Sequence, residues 1–390
     1  MTFSPSAGLV ADEQRWITAA PPTNPRLVMH ARLPRTLQPF LTWLTAQPAP
    51  GELLQERSPL RFVAVALLQT LLGAAMTVMG LLAWLPLVPF GMLLTTSGLG
   101  LFQVVVFHHC SHGTVFRVRE TNIWVGQLIS AVLLFKHFDH YKHEHMLHHS
   151  NNKLLTEEDE FADFVFNTCR LEAGVALPVL RRRVLVNLVS PLFHGLFLMR
   201  RVQAAWGSHD RRHNLVGMAV WSALALLAAV TGQWIAFLLA WVAPVTVLLQ
   251  AATVGRILCE HSFPAAEMIA ARGRDLTCHA TAGVFPGVMP PTAPASSFQG
   301  VVAWFGWWAD MLVVQLFVRM VVLVGDAPCH DYHHRKPASR RWTSYIQARQ
   351  HDKEAGSTVF KKGYTDIWGL FSAVDGTLAS LSKLPVGTPL

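Results

Sequence analysis

Two long stretches of the chain carry no charged side chain, and a turn signal interrupts each of them once. The first stretch runs from Phe62 to Phe107 and the second from Asn214 to Gly255. About 20 apolar residues cross the hydrocarbon core of a bilayer, so each stretch is long enough for two spans. The prolines near residue 86 and the glycine at 232 mark the turns. The pattern predicts two transmembrane helical hairpins with spans at residues 62–83, 90–107, 215–230 and 235–254.

Three further apolar segments are too short or too interrupted to be predicted as spans. They lie at residues 123–135, 184–199 and 304–323, and the last of them contains Asp310 and Arg319. We expect these segments to form helices that lie in the membrane interface. The predicted fold is therefore an all-α integral membrane protein with four spans, interfacial helices and a cytosolic helical cap.

Composition and charge agree with this class of protein. The chain is 52% hydrophobic and 14% charged, whereas soluble domains are about 25% charged. Nearly all lysines and arginines lie outside the hairpin turns, so the positive-inside rule places both termini and the cap in the cytoplasm. We divide the chain into a cytoplasmic arm (1–60), a membrane catalytic domain (61–345) and a cytoplasmic tail (346–390). The bilayer is an expected partner, and no nucleic-acid-binding module is visible.

The candidate chemistry lies in histidine clusters outside the predicted spans. His145, His148 and His149 form an H-x-x-H-H pattern, which returns later in the chain as His330, His333 and His334. A third cluster pairs His108 with His112, and His261 follows the second hairpin as His108 follows the first. Residues at i, i+3 and i+4 share one helix face, so we expect each triplet to converge on one point. A solvated histidine-rich tract is disfavoured because the spacing repeats.

Nine imidazoles are more than one metal ion needs, so the count predicts a site for two. Imidazole nitrogen suits iron, zinc or copper, and a structural zinc would need only four ligands. The count therefore favours a dinuclear redox site. Metal-bound imidazole usually donates its second N–H to a carboxylate, and adjacency selects Glu144, Glu260 and Asp331 for this role. Asp326 and the acidic run at 157–163 remain further candidates.

The three clusters, with their placement after two hairpins, resemble the membrane fatty acid desaturase and hydroxylase superfamily. The resemblance covers roughly residues 60–340. It implies a non-haem centre of two iron ions, O2 as a co-substrate, and hydrogen abstraction from a lipid chain. It also implies a ninth ligand after the last span, which is assigned to His261. His109 stands where many family members have Asp, so His108 and His109 both remain candidates, although the H-x-x-x-H spacing selects His108.

The predicted activity is O2-dependent introduction of a double bond into a fatty acyl chain. Hydroxylation, acetylenation or oxidative decarboxylation of a fatty acid or alkane would use the same scaffold. A histidine-rich metal transporter is disfavoured because such proteins place polar ligands within their spans, and these hairpins carry none. The substrate would be a free acyl chain or one bound to coenzyme A, carrier protein or lipid. Electrons would come from a separate donor of the ferredoxin, rubredoxin or cytochrome b5 type.

Overall fold

A computed structural model describes residues 24–387, which fold into a mostly helical structure. Residues 1–23 of the expected arm and 388–390 of the expected tail lie outside the described part. Within residues 24–387, only two short strands accompany the helices. The helices are α1 (Pro25–Arg32), α2 (Gln38–Thr45), α3 (Pro59–Leu82), α4 (Leu87–Ser111), α5 (Arg119–Leu133), α6 (Phe138–His148), α7 (Glu160–Asp163), α8 (Leu177–Val189), α9 (Pro191–Trp206), α10 (Arg211–Thr231), α11 (Trp234–Glu260), α12 (Ala266–Ala271), α13 (Gly273–Ala280), α14 (Phe298–Val322), α15 (His330–Arg335), α16 (Tyr345–Ala355) and α17 (Leu370–Lys383).

The first predicted hairpin is formed by the antiparallel helices α3 and α4. Glycines let the two backbones approach closely: a Cβ atom on Gly91 would lie 2.6 Å from the backbone nitrogen of Thr77. Gly73 and Gly98 make equivalent contacts with threonines of the opposite helix. The hydrophobic effect does not drive helices together in lipid, so close packing between small residues stabilises the pair instead. The tight pairing fixes the end of α4, where the first histidine cluster begins.

The second hairpin consists of α10 and α11, and it turns at Gly232. This glycine has a φ of 69° and ends α10 in a left-handed conformation that suits glycine. Helix α5, which covers most of the segment expected in the interface at 123–135, packs against this hairpin. The indole N–H of Trp221 donates to the carbonyl oxygen of Val132 at 2.9 Å. The cap helices are thus fastened directly to the second hairpin.

Helix α14 differs from the sequence-based expectation in its length. It spans Phe298–Val322 and is one of five helices in the described residues that are long and apolar enough to cross a membrane. The other four are the helices of the two hairpins. Asp310 and Arg319 within residues 304–323 favour a position in the membrane interface instead. The count of four spans remains a prediction.

Much of the expected tail packs onto the cap, and its last buried side chain is Leu384. Strand β2 (Asp366–Trp368) pairs in parallel with β1 (Gly283–Phe285), with Val284 opposite Ile367. Helix α17 buries Leu378 and other apolar side chains in a core shared with α8 and α11. This C-terminal segment therefore helps to hold the cap in place beneath the histidines.

Candidate metal centre

The first histidine pair stands at the end of α4, after a change in the helix. Residues 102–107 form a π-helical segment, whose i→i+5 hydrogen bonds give a wider turn than that of an α-helix. The four-residue α-helical end that follows starts at His108. The wider turn rotates the histidines relative to the lipid-facing surface of α4. His108 and His112 consequently point toward the cap, where the other two clusters lie.

Five of the nine predicted ligands form one group. Their ring nitrogens all lie within 4.8 Å of one another, and the residues come from α4, α6 and α15 with their flanking turns. The Nε2 atom of His145 lies 3.1 Å from Nε2 of His112 and 3.0 Å from Nε2 of His149. The Nε2 atoms of His108 and His333 are 2.6 Å apart. The full set is His108, His112, His145, His149 and His333.

The remaining four predicted ligands form a second, fully buried group. Nε2 of His261 lies 3.1 Å from Nε2 of His148 and 3.1 Å from Nε2 of His330. His334 completes the group, with its Nε2 atom 3.0 Å from that of His330. The backbone of His261 is held by Thr377 of α17, whose hydroxyl donates to the His261 carbonyl oxygen at 2.7 Å.

These nitrogen separations fit metal ligation better than hydrogen bonding. An Nε2 atom has a single in-plane direction, which carries either a hydrogen or a lone pair. His145 and His261 each place Nε2 near two other Nε2 atoms, and one direction cannot serve both as hydrogen bonds. Bonds of about 2.1 Å at right angles to a common ion would set neighbouring nitrogens about 3.0 Å apart. The nine imidazoles therefore fit two metal ions in geometry and in donor type.

The two H-x-x-H-H motifs divide between the groups, which corrects the expectation that each triplet converges on one point. His145 and His149 enter the first group and His148 enters the second. On α15 the division is reversed, because His330 and His334 enter the second group. Adjacent residues of an α-helix project about 100° apart. The adjacent histidines of each motif therefore serve different centres, and each motif bridges both.

The structure separates His108 from His109. His108 belongs to the five-histidine group, whereas Nε2 of His109 lies 2.8 Å from a carboxylate oxygen of Asp326. The His109 ring also stacks on Trp342, with ring centroids 3.9 Å apart. His109, Asp326 and His333 together form a third set of possible ligands, but this set shares His333 with the first group. The geometry favours His108 as the ligand and His109 as a neighbour that Asp326 orients.

Two carboxylates of the acidic run orient one histidine in each group. Oδ1 of Asp159 lies 2.6 Å from Nδ1 of His148, and Oε1 of Glu160 lies 2.8 Å from Nδ1 of His145. A carboxylate at Nδ1 holds the proton there and turns the Nε2 lone pair toward the centre. From the sequence this run is only a further candidate for that role. The signal for it was an acidic run shortly after the central histidine motif.

Of the three carboxylates chosen by adjacency, only Glu260 lies near a ring nitrogen of the two groups. Glu144 pairs with Lys136, and Asp331 forms a two-point ion pair with Arg349 at 2.8 and 2.6 Å. Glu260 receives both of its short hydrogen bonds from Arg256, and its Oε1 lies 3.9 Å from Nδ1 of His330. Asp331 and Glu260 thus fix the helix ends that present histidines, through the arginines that they bind.

The electrostatics of the site keep most of its imidazoles neutral. Burial lowers the pKa of His112 to about 2, and the charges of neighbouring groups such as His145 add to this effect. The pKa values of His149, His261, His330, His333 and His334 are likewise lowered by burial and by neighbouring imidazoles. Burial alone would raise the pKa of Glu160, but the hydrogen bond with His145 and the charges of His145, His148 and Lys136 together lower it to about 2. Neutral imidazole is the form that binds a metal.

A cavity of about 280 Å³ opens beside the histidines. Its walls include aromatic side chains such as Phe107, Phe161 and Phe164, together with histidines of both groups. Lys136 and Arg200 line it at a more exposed position. The cavity thus joins an apolar, aromatic space to the ring nitrogens, which suits a substrate that is largely hydrocarbon.

Five apolar helices long enough to cross a membrane, together with two groups of histidines that could each hold a metal ion, are the features of a multi-pass membrane protein with a candidate metal centre. The model of the family named fatty acid desaturase matches residues 82–337, which is more than half of the 390 residues. The chain belongs to the fatty acid desaturase family. No curated protein matches the chain in a sequence search.

Proposed function

We propose that this protein is an O2-dependent membrane oxidase that introduces a double bond into a fatty acyl chain. The observation that carries the proposal is the arrangement of nine imidazoles in two facing groups beside an apolar cavity. Family membership supports an oxidoreductase acting on a lipid chain. We assign two iron ions to the two groups, where they would supply O2 activation and hydrogen abstraction when bound.

The chain's own residues would bind, orient and shield the substrate. Phe107, Phe161 and Phe164 offer an aromatic wall on which an acyl chain would lie close to His108 and His261. Burial of the four-histidine group, and of three histidines in the other group, would keep water away from the reacting carbon atoms. Asp159 and Glu160 would hold protons on Nδ1 of their histidines throughout the reaction. Electrons would come from a separate donor protein of the ferredoxin, rubredoxin or cytochrome b5 type.

For the topology we infer four spans, with α14 lying along the membrane interface and the termini and cap in the cytoplasm. The support is the packing of α1 and α2 against α14: Met29 and Leu41 share a buried cluster with Trp307 and Met311. Helix α1 carries buried Arg26 and exposed Arg32, a composition that suits the interface better than a bilayer core. Single cysteines placed at Leu85, Gly232 and Ser296 test this. A four-span protein labels the first two from outside and Ser296 only from the cytoplasm.

Two measurements on the full-length protein test the function. Expression in a host of defined lipid composition, with donor proteins of the three types, should yield acyl chains with one additional double bond. Hydroxylated, acetylenic or shortened hydrocarbon products would instead assign one of the alternative reactions. The purified protein should contain about two iron ions per chain, whereas two zinc ions and no iron would refute the diiron mechanism. His148→Ala should abolish activity, and His137→Ala, outside both groups, serves as the matched control.

A further inference from the structure

A second cavity of about 280 Å³ lies apart from the histidine centre and shares no lining residue with the first. It is formed where α3 begins and α14 ends, with contributions from Trp43 of α2 and Tyr345 of α16. Ser97 and Leu101 of α4 also line it, so five helices meet around one space. Because α3 and α14 both carry exposed apolar side chains, the cavity lies beside the lipid-facing surface.

The walls of this cavity combine three arginines with apolar side chains. Arg57, Arg61 and Arg319 line it, and no aspartate or glutamate does. Apolar residues, among them Phe62 and Met320, also line it. The lining is thus amphipathic, because it combines cationic groups with apolar side chains.

Arg319 is the most informative of the three because it is only 3% exposed. Its guanidinium donates to the carbonyl oxygens of Trp43 and Leu323 and to the Tyr345 hydroxyl. All three acceptors are neutral, and no carboxylate within the described residues pairs with it. A buried charge without a counter-ion is costly, so native structures normally supply one.

Arg57 and Arg61 leave their guanidinium groups available for such a counter-ion. They stand four residues apart at the start of α3, one partly buried and the other exposed. Neither side chain has a hydrogen bond or ion pair within residues 24–387. Of the two glutamates shortly before Arg57, Glu56 forms no ion pair among the described residues, and Glu52 accepts hydrogen bonds from Thr42 and Gln347. Guanidinium groups bind phosphate oxygens through paired, charge-assisted hydrogen bonds.

We propose that this cavity binds the phosphate group of an anionic membrane phospholipid, with the acyl chains lying against α3 and α14. The three arginines recognise the phosphate, and Phe62 and Met320 contact the upper part of the lipid chains. The bound lipid fastens the N-terminal arm and α16 to the membrane helices. The proposal is independent of the reaction at the histidines, because the two cavities are separate.

The test uses the full-length protein in mild detergent, with thermal unfolding and native mass spectrometry as readouts. Phosphatidylglycerol, phosphatidylcholine and inorganic phosphate are titrated separately. With phosphatidylglycerol, we expect a rise in the thermal unfolding midpoint and a lipid that stays bound in native mass spectrometry. With phosphatidylcholine, we expect the same effects to be about tenfold weaker. An equal rise with inorganic phosphate would show a site for phosphate alone and would overturn the lipid assignment.

The variant Arg57→Gln/Arg61→Gln should lose about tenfold or more in apparent affinity for phosphatidylglycerol, since two charge-assisted contacts are removed. The matched control is Arg117→Gln/Arg119→Gln, which removes the same charge from exposed positions outside the cavity. The control should retain the wild-type affinity. Equal losses in both double variants would mean that net charge, rather than this cavity, attracts the lipid, and would overturn the proposal.

Discussion

The two carboxylates at Asp159 and Glu160 offer a way to weaken each metal group separately. Asp159 accepts hydrogen bonds from three N–H groups: Nδ1 of His148 at 2.6 Å, Phe161 at 3.0 Å and Leu155 at 2.7 Å. Asparagine has one acceptor oxygen where aspartate has two. In Asp159→Asn, therefore, an NH2 group must face at least one of these donors.

The cost of this substitution follows from those contacts. Loss of one buried hydrogen bond to a charged group costs about 1.5–3 kcal/mol. Loss of a carboxylate behind a metal-bound histidine typically lowers metal affinity by about 10–100-fold, equivalent to about 1.4–2.7 kcal/mol. We expect Asp159→Asn to weaken the group containing His148 by this amount. Glu160→Gln should weaken the group containing His145, because its contact at Nδ1 is equivalent.

The assay is metal content after equilibration with a graded series of chelators. Wild type should lose two metal equivalents at high chelator strength, and each variant should lose one equivalent at about 10–100-fold lower strength. Reference variants identify the centre: His334→Ala removes a ligand of the four-histidine group and His112→Ala one of the five-histidine group. The combination of Asp159→Asn with His334→Ala should retain the same single equivalent as His334→Ala alone.

Glu158→Gln is the matched control, because its side chain is 54% exposed and pairs only with Lys153. It should bind metal like wild type. If Asp159→Asn and Glu160→Gln each lost both equivalents together, or if Asp159→Asn kept wild-type resistance to chelator, the division into two separately oriented groups would be refuted.

Three further predictions concern the site imidazoles, the ion pair of Arg349 and the glycines of two helices. Burial lowers the pKa of most site imidazoles outside the spans, so these side chains take up protons on unfolding below pH 6.5. For each such imidazole, the free energy of unfolding of the metal-free protein should be about 1.4 kcal/mol smaller at pH 5.5 than at pH values well above 6.5. The measurement is a falling unfolding midpoint as the pH is lowered. Arg349→Lys keeps the charge but not the two-point contact with Asp331, so unfolding assays should show a loss of stability of about 1.5–3 kcal/mol. Metal analysis should show a loss from both groups, since α15 contributes histidines to both. Gly91→Ala should separate α3 from α4 and lower the thermal unfolding midpoint. Its control is Gly195→Ala in α9, where the added Cβ would meet open space, and this variant should raise the free energy of unfolding by about 0.4–1 kcal/mol.

The existence of both hairpins followed from the sequence because an uncharged stretch of that length has few other solutions in a membrane protein. Their bounds moved by a few residues: the first was expected at 62–83 and 90–107, and the structure has Pro59–Leu82 and Leu87–Ser111. Helix α4 continues past the apolar stretch because its last turns are held by packing in the cap. The π-helical segment before His108 left no recognisable signal in the sequence.

The nine histidines were recognised from spacing, but their division between two groups was not. Spacing shows which residues share a helix face. It does not show which metal group each histidine joins when two adjacent residues are both ligands. Adjacency misled the search for orienting carboxylates for the same reason, because Glu144 precedes His145 and points about 100° away from it. The loop that follows the central histidine motif places Asp159 and Glu160 next to the histidines. The path of that loop, and therefore the identity of these carboxylates, is visible only in the folded chain.

The interleaving of the two groups implies that they form as a unit. Helix α6 gives two histidines to one group and one to the other, and α15 does the reverse. A displacement of either helix therefore disturbs both centres, whereas loss of a single orienting carboxylate disturbs one. Asp331 lies between the ligands of α15 and is fixed by Arg349, which also binds Asp366 at 2.8 Å. Through this bridge β2 holds the third histidine motif, so removal of the C-terminal segment should release metal from both groups at once.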